Sequence, residues 1–367
     1  MNRFPKLEVN LDAIKQNSFA VCSKCNKYGI DVAGVIKFSD ADVKIAKAYL
    51  DGGCSQIAVS RASHLKKLKN VLPSVKTLLL RAPMKSELST VVNYADLSLH
   101  SDIDILRKLN KTAKILNKKS HVILMLDVGD LREGVETVDE LVDLANKVEL
   151  DMKNLQLDGI GTGFACLSGV LPDKEKLEFL VSAKRKVEEK ISRKLPILSA
   201  GSSINMLMLK DGTNLMPKEI NHLRIGGFIA NPINMKINRG VFFDGMREDS
   251  VTLSAEIIEI REKNSAPKNS STKNWSGETI CIVDKGRRIR AILAIGSQDI
   301  GNYSNLIPID DGIKLVGGSS DHTVIDVTDC KISYKSGDVI TFKVRYPAML
   351  YSFSGKHVKI KYVNDEK

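Results

Sequence analysis

Eight short apolar runs alternate with helical stretches between residues 31 and 227, and no other feature constrains the fold as tightly. The runs cover residues 31–37, 55–61, 75–82, 95–101, 120–127, 155–162, 195–201 and 220–227. Helical spacing of apolar residues fills 41–51, 63–70, 103–116, 138–147 and 174–193, with a further helix at 11–28. Runs of this length read as strands buried on both faces. Repeated with helices between them, they predict an α/β chain with a (β/α)8, TIM-type barrel at its N-terminal end. An open doubly wound sheet is the competing arrangement. It usually carries a Gly-rich fingerprint after its first strand, and Val35-Ile-Lys-Phe-Ser39 is not one.

Near residues 241–249 the pattern changes. Beyond 251 it becomes all-β, with strand-like stretches at 251–260, 279–283, 290–294, 312–315, 324–327, 339–344 and 357–362. The expected organisation is a barrel over residues 11–240. A C-terminal all-β domain follows, formed by 241–367 together with 1–10, with segment 6–10 returning to pair with it. The polar stretch 263–276 is expected to be a mobile loop.

A chain of 367 residues suits a large domain with a smaller one. Its formal charge of +11 raises the question of nucleic acid. The lysines, however, scatter over helical stretches such as 44–47, 66–69 and 108–119, and aromatic residues make up only 5%. That pattern is a solvated basic surface with a mild preference for anions, not a nucleic-acid interface. No apolar run is long enough to span a bilayer, and the N-terminus lacks an apolar leader, so a cytoplasmic, membrane-free protein is expected. Of the six cysteines only Cys22 and Cys25 have CxxC spacing, inside a helix and without a second ligand pair. Neither a zinc site nor a redox motif follows, and reduced, mostly structural cysteines are expected.

In a barrel the C-terminal ends of the strands share one face, where chemistry is done. Here those ends carry Lys37, Ser60-Arg61, Arg81, His100, Asp127, Gly161-Thr-Gly163, Gly201-Ser-Ser203 and Arg224-Ile-Gly-Gly227. Such a set of amines, guanidinium groups, hydroxyls and glycines suits an anionic ligand with a phosphate and a carboxylate. Lys37 stands on the last residue of the first run. There a partly desolvated amine becomes a nucleophile for aldehydes, as in a lysine that carries pyridoxal phosphate (PLP). Taken alone, a strand-end lysine snorkelling into water gives the same pattern.

Several stretches, in order, cover nearly the whole chain: Leu7-Glu-Val-Asn-Leu-Asp-Ala-Ile-Lys-Gln-Asn17, Gly34-Val-Ile-Lys37, Leu126-Asp-Val-Gly-Asp-Leu-Arg-Glu-Gly134, Leu157-Asp-Gly-Ile-Gly-Thr162, Leu198-Ser-Ala-Gly-Ser-Ser203, Ile220-Asn-His-Leu-Arg-Ile-Gly226 and Gly318-Ser-Ser-Asp-His-Thr-Val-Ile-Asp-Val-Thr328. Together they resemble the alanine-racemase-like PLP enzymes, most closely their ornithine-racemase-like branch. The resemblance implies a PLP-dependent amino-acid racemase or epimerase acting on a basic or polar amino acid such as ornithine. It also implies a head-to-tail homodimer with shared active sites. Lys37 matches the lysine that forms the Schiff base and moves the Cα proton. Ser202, Ser203, Gly226 and Gly227 match the phosphate cradle. Arg224 matches the residue facing the pyridine nitrogen, where PLP decarboxylases of the same barrel place a carboxylate. Arg132 matches the arginine that orients the substrate carboxylate. Ser319, Ser320 and Asp321 match the segment that the second subunit inserts, Ser320 and Asp321 being the substrate contacts. Asp127 or Asp130 would then read a cationic side chain.

The chain also departs from the family pattern. Met125 stands where many alanine racemases have a lysine, Gly163 where they have a ring-stacking histidine, Ala41 where a tyrosine is usual and Ser202 where asparagine is usual. Gly227 differs too. A roomier pocket would follow. The second proton carrier, a tyrosine in alanine racemases, has no counterpart in 263–276. Tyr303, Tyr351, Cys281, His322 and Asp321 are the alternatives. The competing functions are a basic amino-acid decarboxylase on the same scaffold and a PLP-binding protein with altered or lost catalysis.

Overall fold

The computed structural model describes residues 4–268, 273, 277, 279 and 283–365. They form two compact units, Asp12–Arg247 and Met1–Leu11 with Glu248–Lys367. Strand β1 is Lys6–Asn10 and belongs to the second of these.

The first unit is built on β2 (Asp31–Val35), β3 (Gln56–Val59), β4 (Thr77–Leu79), β5 (Leu97–His100), β6 (Ser120–Met125), β7 (Leu155–Gly161), β8 (Ile197–Ser199) and β9 (His222–Ile225). All neighbours are parallel, and β9 closes on β2 to complete an eight-stranded barrel. The expected barrel is therefore the observed one. Each of its strands is shorter than its apolar run, because residues at the ends of the runs turn out of the ladder. Alternate residues point inward. Ala33, Val35, Ala58, Leu78, Leu97, Leu99, Ile123 and Met125 form one buried cluster. Large side chains fill the β4–β6 side of it. On β2 and β3 the inward residues are mainly alanine, which leaves room for the polar residues of β8 and β9.

The surrounding helices are α1 (Leu11–Asn26), α2 (Val43–Asp51), α3 (Ala62–Val71), α4 (Leu88–Tyr94), α5 (Ile103–Ile115), α6 (Val138–Asp151) and α7 (Lys174–Ile191). Side-chain caps start four of them. Asp42 accepts from the Ile45 N–H, Asp102 from Ile105 and Asp173 from Lys176, while Thr137 and Glu140 close a capping box. Helix α4 was not expected: it is seven residues long, and no side chain caps it.

The second unit is a mainly antiparallel sheet in the order β12-β15-β10-β11-β14-β13. These are β10 (Val251–Asn264), β11 (Arg287–Leu293), β12 (Leu306–Pro308), β13 (Lys314–Gly318), β14 (Thr323–Asp326) and β15 (Val339–Val344). Strand β1 lies antiparallel to β10 and parallel to β16 (Lys359–Val363). Helix Tyr346–Ser354, with proline in its first turn, was not expected either. Of the predicted strand 279–283, residues 280–282 lie outside the described residues, and so do 269–272 and 274–276 of the expected loop.

One barrel residue links this fold to pH. His100, 1% exposed on β5, has its Nε2 2.8 Å from Ser98 Oγ. Burial pushes its pKa down to about 4, whereas in the unfolded chain it titrates near about 6.5. Between those values the unfolded state binds the extra proton, so this contribution to stability is complete above about 6.5 and is lost as pH falls. Moving from pH 7 to pH 5 is expected to cost roughly 2 kcal/mol through this residue. Urea denaturation at the two pH values should show that drop, and His100→Asn should reduce it.

Candidate active site

The residues matched to the family's site leave β6, β8, β9 and β2, which with β7 form one arc of the barrel's C-terminal face, whereas Ser60-Arg61, Arg81 and His100 stand outside it, at the ends of β3, β4 and β5.

Lys37 is not the last residue of its strand. Strand β2 ends at Val35, and Lys37 opens a short 3-10 turn, Lys37–Ser39, with its side chain exposed. The turn is tightly held. Phe38 is buried, and the Ser39 N–H and hydroxyl both donate to the Ile36 carbonyl, at 3.1 and 3.0 Å. Asp40 and Ala41 then take left-handed φ angles of 50° and 53° before Asp42 caps α2. The lysine leaves the ladder because Asp42 fixes the start of the helix and the connection must turn sharply to reach it.

Arg224 points into the barrel from β9 and is 6% exposed. Its Nη1 donates to Ser199 Oγ and its Nη2 to the Thr162 carbonyl, the latter at 2.6 Å. Ser199 Oγ lies 2.8 Å from His222 Nδ1, and His222 Nε2 lies 3.0 Å from Gln56 Nε2. Burial chiefly lowers the Arg224 pKa to about 10, with Arg132 adding to the effect and Glu133 and Cys166 opposing it. The guanidinium remains charged at neutral pH. Reading strand ends missed Ser199, His222 and Gln56. Period-two alternation could have found the first two: Ser199 and His222 share the inward face with Arg224 in strands whose outward residues are leucine and isoleucine.

Beyond β8 and β9 stand the other residues of the arc. Ser202 and Ser203 begin the 3-10 helix Ser203–Gly212, and the Ser202 N–H donates to Asn205 Oδ1 at 3.1 Å. Gly226 N–H donates to Ser203 Oγ at 3.3 Å, and the Tyr49 hydroxyl donates to the Gly226 carbonyl at 2.9 Å. A Cβ on Gly226 would stand 2.7 Å from the Val35 carbonyl oxygen, so only glycine lets this turn approach β2. Gly227 follows at the start of the short helix Gly227–Ala230. Ser202, Ser203, Gly226 and Gly227 thus gather hydroxyls and backbone N–H groups beside the lysine-bearing strand.

Arg132 lies on the loop after β6. Its Nη2 donates to Glu133 Oε1 at 2.5 Å and sits 3.5 Å from where a Cβ on Gly163 would be. The space expected to open at Gly163 is therefore bordered by the Arg132 guanidinium. Asp130 is 3% exposed and accepts the N–H groups of Cys166, Leu167 and Ser168 at 3.0, 3.1 and 3.2 Å. Its carboxylate ties the loop after β6 to the loop after β7. Asp127 Oδ1 accepts the Gly129 N–H at 2.7 Å.

Ser319, Ser320 and Asp321 lie in the second unit, on the hairpin between β13 and β14. Ser320 Oγ donates to Asp321 Oδ2 at 2.7 Å, and Gln298 Nε2 donates to its other oxygen at 3.3 Å. Asp321 and His322 are exposed, and Tyr303 packs within 3.4 Å of a Cβ placed on Gly318. Tyr351 packs instead against Gly301. Cys281 lies outside the described residues.

A sequence model of the family described as alanine racemase, N-terminal domain, matches residues 9–230. An ornithine racemase of Acetoanaerobium sticklandii is 36% identical over 356 residues, which is 97% of this chain and 99% of that protein. A lysine racemase of Thermotoga maritima is 33% identical over 359 residues, 98% of each. Among solved structures, alanine racemase from Bacillus anthracis with bound L-Ala-P superposes with a TM-score of 0.73 at 15% identity, covering 100% of this chain and 97% of that one. D-threonine aldolase from Filomicrobium marinum superposes at 0.72 and 15%, covering 94% and 88%. At such identities the structural likeness is one of fold.

The Asp130 bonds make a prediction of their own. Asp130→Ala would leave three N–H groups without their acceptor, and a cost of about 2–3 kcal/mol is expected. Urea denaturation should report it, and limited proteolysis should show earlier cleavage within residues 165–170.

Proposed function

The chain belongs to the alanine racemase family, and from that premise we propose that it is a PLP-dependent racemase of basic amino acids such as ornithine or lysine. The observation that carries the reading is the buried, charged Arg224 on the same arc as an exposed, rigidly held lysine. Beside the lysine, the Ser202 and Ser203 hydroxyls and the Gly227 N–H supply donors without a carboxylate among them, the Ser202 and Gly226 N–H groups being bonded to Asn205 and Ser203. That donor set fits a phosphate. Lys37 supplies the amine that an aldehyde requires, so the residues present fit PLP. Bound there, PLP supplies the electron sink that lets a Cα–H bond ionise.

In this reading Lys37 holds the cofactor and its Nζ carries the Cα proton on one face of the substrate. Arg224, which keeps all its protons, would donate toward the ring nitrogen and so leave that nitrogen without one. A weaker electron sink suits reversible proton transfer better than decarboxylation. Arg132 binds the substrate carboxylate. Glu133, bonded to Arg132, supplies negative charge for a distal ammonium, since Asp130 is occupied by backbone N–H groups. The names of the two racemase relatives agree with such a substrate. The proposal includes a cytoplasmic homodimer in which Ser320 and Asp321 of a second copy complete the site, with the second proton carrier drawn from the same hairpin region.

Purified protein should show a visible cofactor band that Lys37→Ala removes. In D2O the wild type should place deuterium at Cα of L-ornithine or L-lysine and yield the D isomer. Lys37→Ala should lower turnover by on the order of 10²–10⁴-fold. Release of CO2 would indicate a decarboxylase, and absence of exchange with every amino acid a PLP-binding protein without this catalysis. Glu133→Gln should raise KM for ornithine roughly tenfold while changing KM for any neutral amino acid far less. Equal effects on both would remove Glu133 from the specificity argument.

A further inference from the structure

Arg224 is a buried cation held by two neutral acceptors, Ser199 Oγ and the Thr162 carbonyl. The carbonyl is fixed by the β7 backbone. A serine hydroxyl is not, because it can rotate and trade one partner for another. We propose that His222 is a positioning residue for Arg224. Through Ser199 it sets the direction in which the guanidinium presents its other N–H groups, with Gln56 fixing His222 in turn. The inference rests on the reading above that Arg224 faces the cofactor's ring nitrogen.

The hydrogen-bond inventory determines the direction of the chain. With its amide nitrogen turned toward the ring, as in this structure, Gln56 donates and His222 Nε2, 3.0 Å away, accepts. The ring proton must then sit on Nδ1, which donates to Ser199 Oγ at 2.8 Å. Ser199 thus receives one N–H from Arg224 and one from His222, and both of its acceptor positions are committed. The imidazole has to stay neutral for this to hold. Burial, with the Arg224 charge as a second cause, pushes its pKa down to about 3. Strand register makes the arrangement possible. Ser199 is paired with His222 across β8 and β9. Gln56 belongs to β3, with β2 between it and β9, and its partner there is Ala33, which is also the partner of Arg224. The small Ala33 side chain lets Gln56 reach His222 past β2. His222 and Ser199 are 3% and 0% exposed, so water does not compete for these bonds.

The test compares His222→Phe, which keeps a ring but no N–H, with His222→Asn, which keeps a side-chain N–H near the Nδ1 position. Three quantities are measured: the 15N spectrum of the histidine rings in cofactor-free wild-type protein at pH 7, PLP affinity by fluorescence titration, and the position of the visible band. The wild-type spectrum should show His222 as the neutral Nδ1–H tautomer. His222→Phe should weaken PLP binding roughly tenfold and displace the band, and His222→Asn should restore most of both. Arg224→Gln is the control for the underlying reading. If it leaves affinity and band unchanged, Arg224 does not face the cofactor and that reading fails. If Arg224→Gln alters them while His222→Phe does not, or if His222 carries its proton on Nε2, the positioning role is overturned. Should His222→Phe fail to fold, the wild-type tautomer and the behaviour of His222→Asn decide the matter.

Discussion

A guanidinium inside a barrel is the constraint on which the candidate site depends. Removing a cation from water is costly unless it is hydrogen-bonded, so the inside of the barrel must supply acceptors for Arg224 and space for a long side chain. Both are visible in the strands. Ala33 is its neighbour on β2, and Ser199 and the Thr162 carbonyl receive its N–H groups. The apolar packing is accordingly shifted toward β4, β5 and β6, where leucine, isoleucine and methionine fill the interior. The barrel is thus asymmetric in chemistry although it is regular in topology. Its polar part lies under the arc of loops that carries Lys37, Arg132, Ser203 and Gly226.

The loops above that arc are held by hydrogen bonds as well as by buried side chains such as Phe38, Phe164 and Phe228. Asp130 gathers three N–H groups from the neighbouring loop, and Ser203 and Tyr49 bind opposite sides of the Gly226 backbone. Such bonds fix backbone position without filling the space above the strands. An arrangement of this kind holds the rim of the arc in place, which the proposed function would require of a site that orients a small charged molecule.

Much of this was legible in the sequence, and what was not has physical causes. Periodicity marks buried strands well, so all eight barrel strands were placed. Caps such as Asp42, Asp102 and Asp173 have local signatures and sit where the helices begin. Helix α4 has neither length nor a side-chain cap, and helix Tyr346–Ser354 is so continuously apolar that its period is hidden. The bonds of Asp130 reach three N–H groups 36 to 38 residues away, which no local pattern reveals. Ser199 and His222 were overlooked for a different reason. Strand ends point past these two residues, which lie within the ladder.

The same distinction changes the meaning of Lys37. On a strand end its environment would have been set by the ladder, and its amine would have been partly buried by the barrel rim. On a 3-10 turn pinned by Phe38, Ser39 and the cap of α2, the backbone is rigid while the side chain is free to move. In the function proposed above, a group that both holds a cofactor and carries a proton would need that combination, since it would change partners during turnover without losing its place. The turn supplies the fixed point and the four-carbon side chain supplies the reach. Arg224, by contrast, is bonded on both terminal nitrogens within the barrel and cannot move in this way. One side of the arc is therefore bonded within the barrel and the other carries an exposed side chain, and this difference follows from where each residue leaves the ladder.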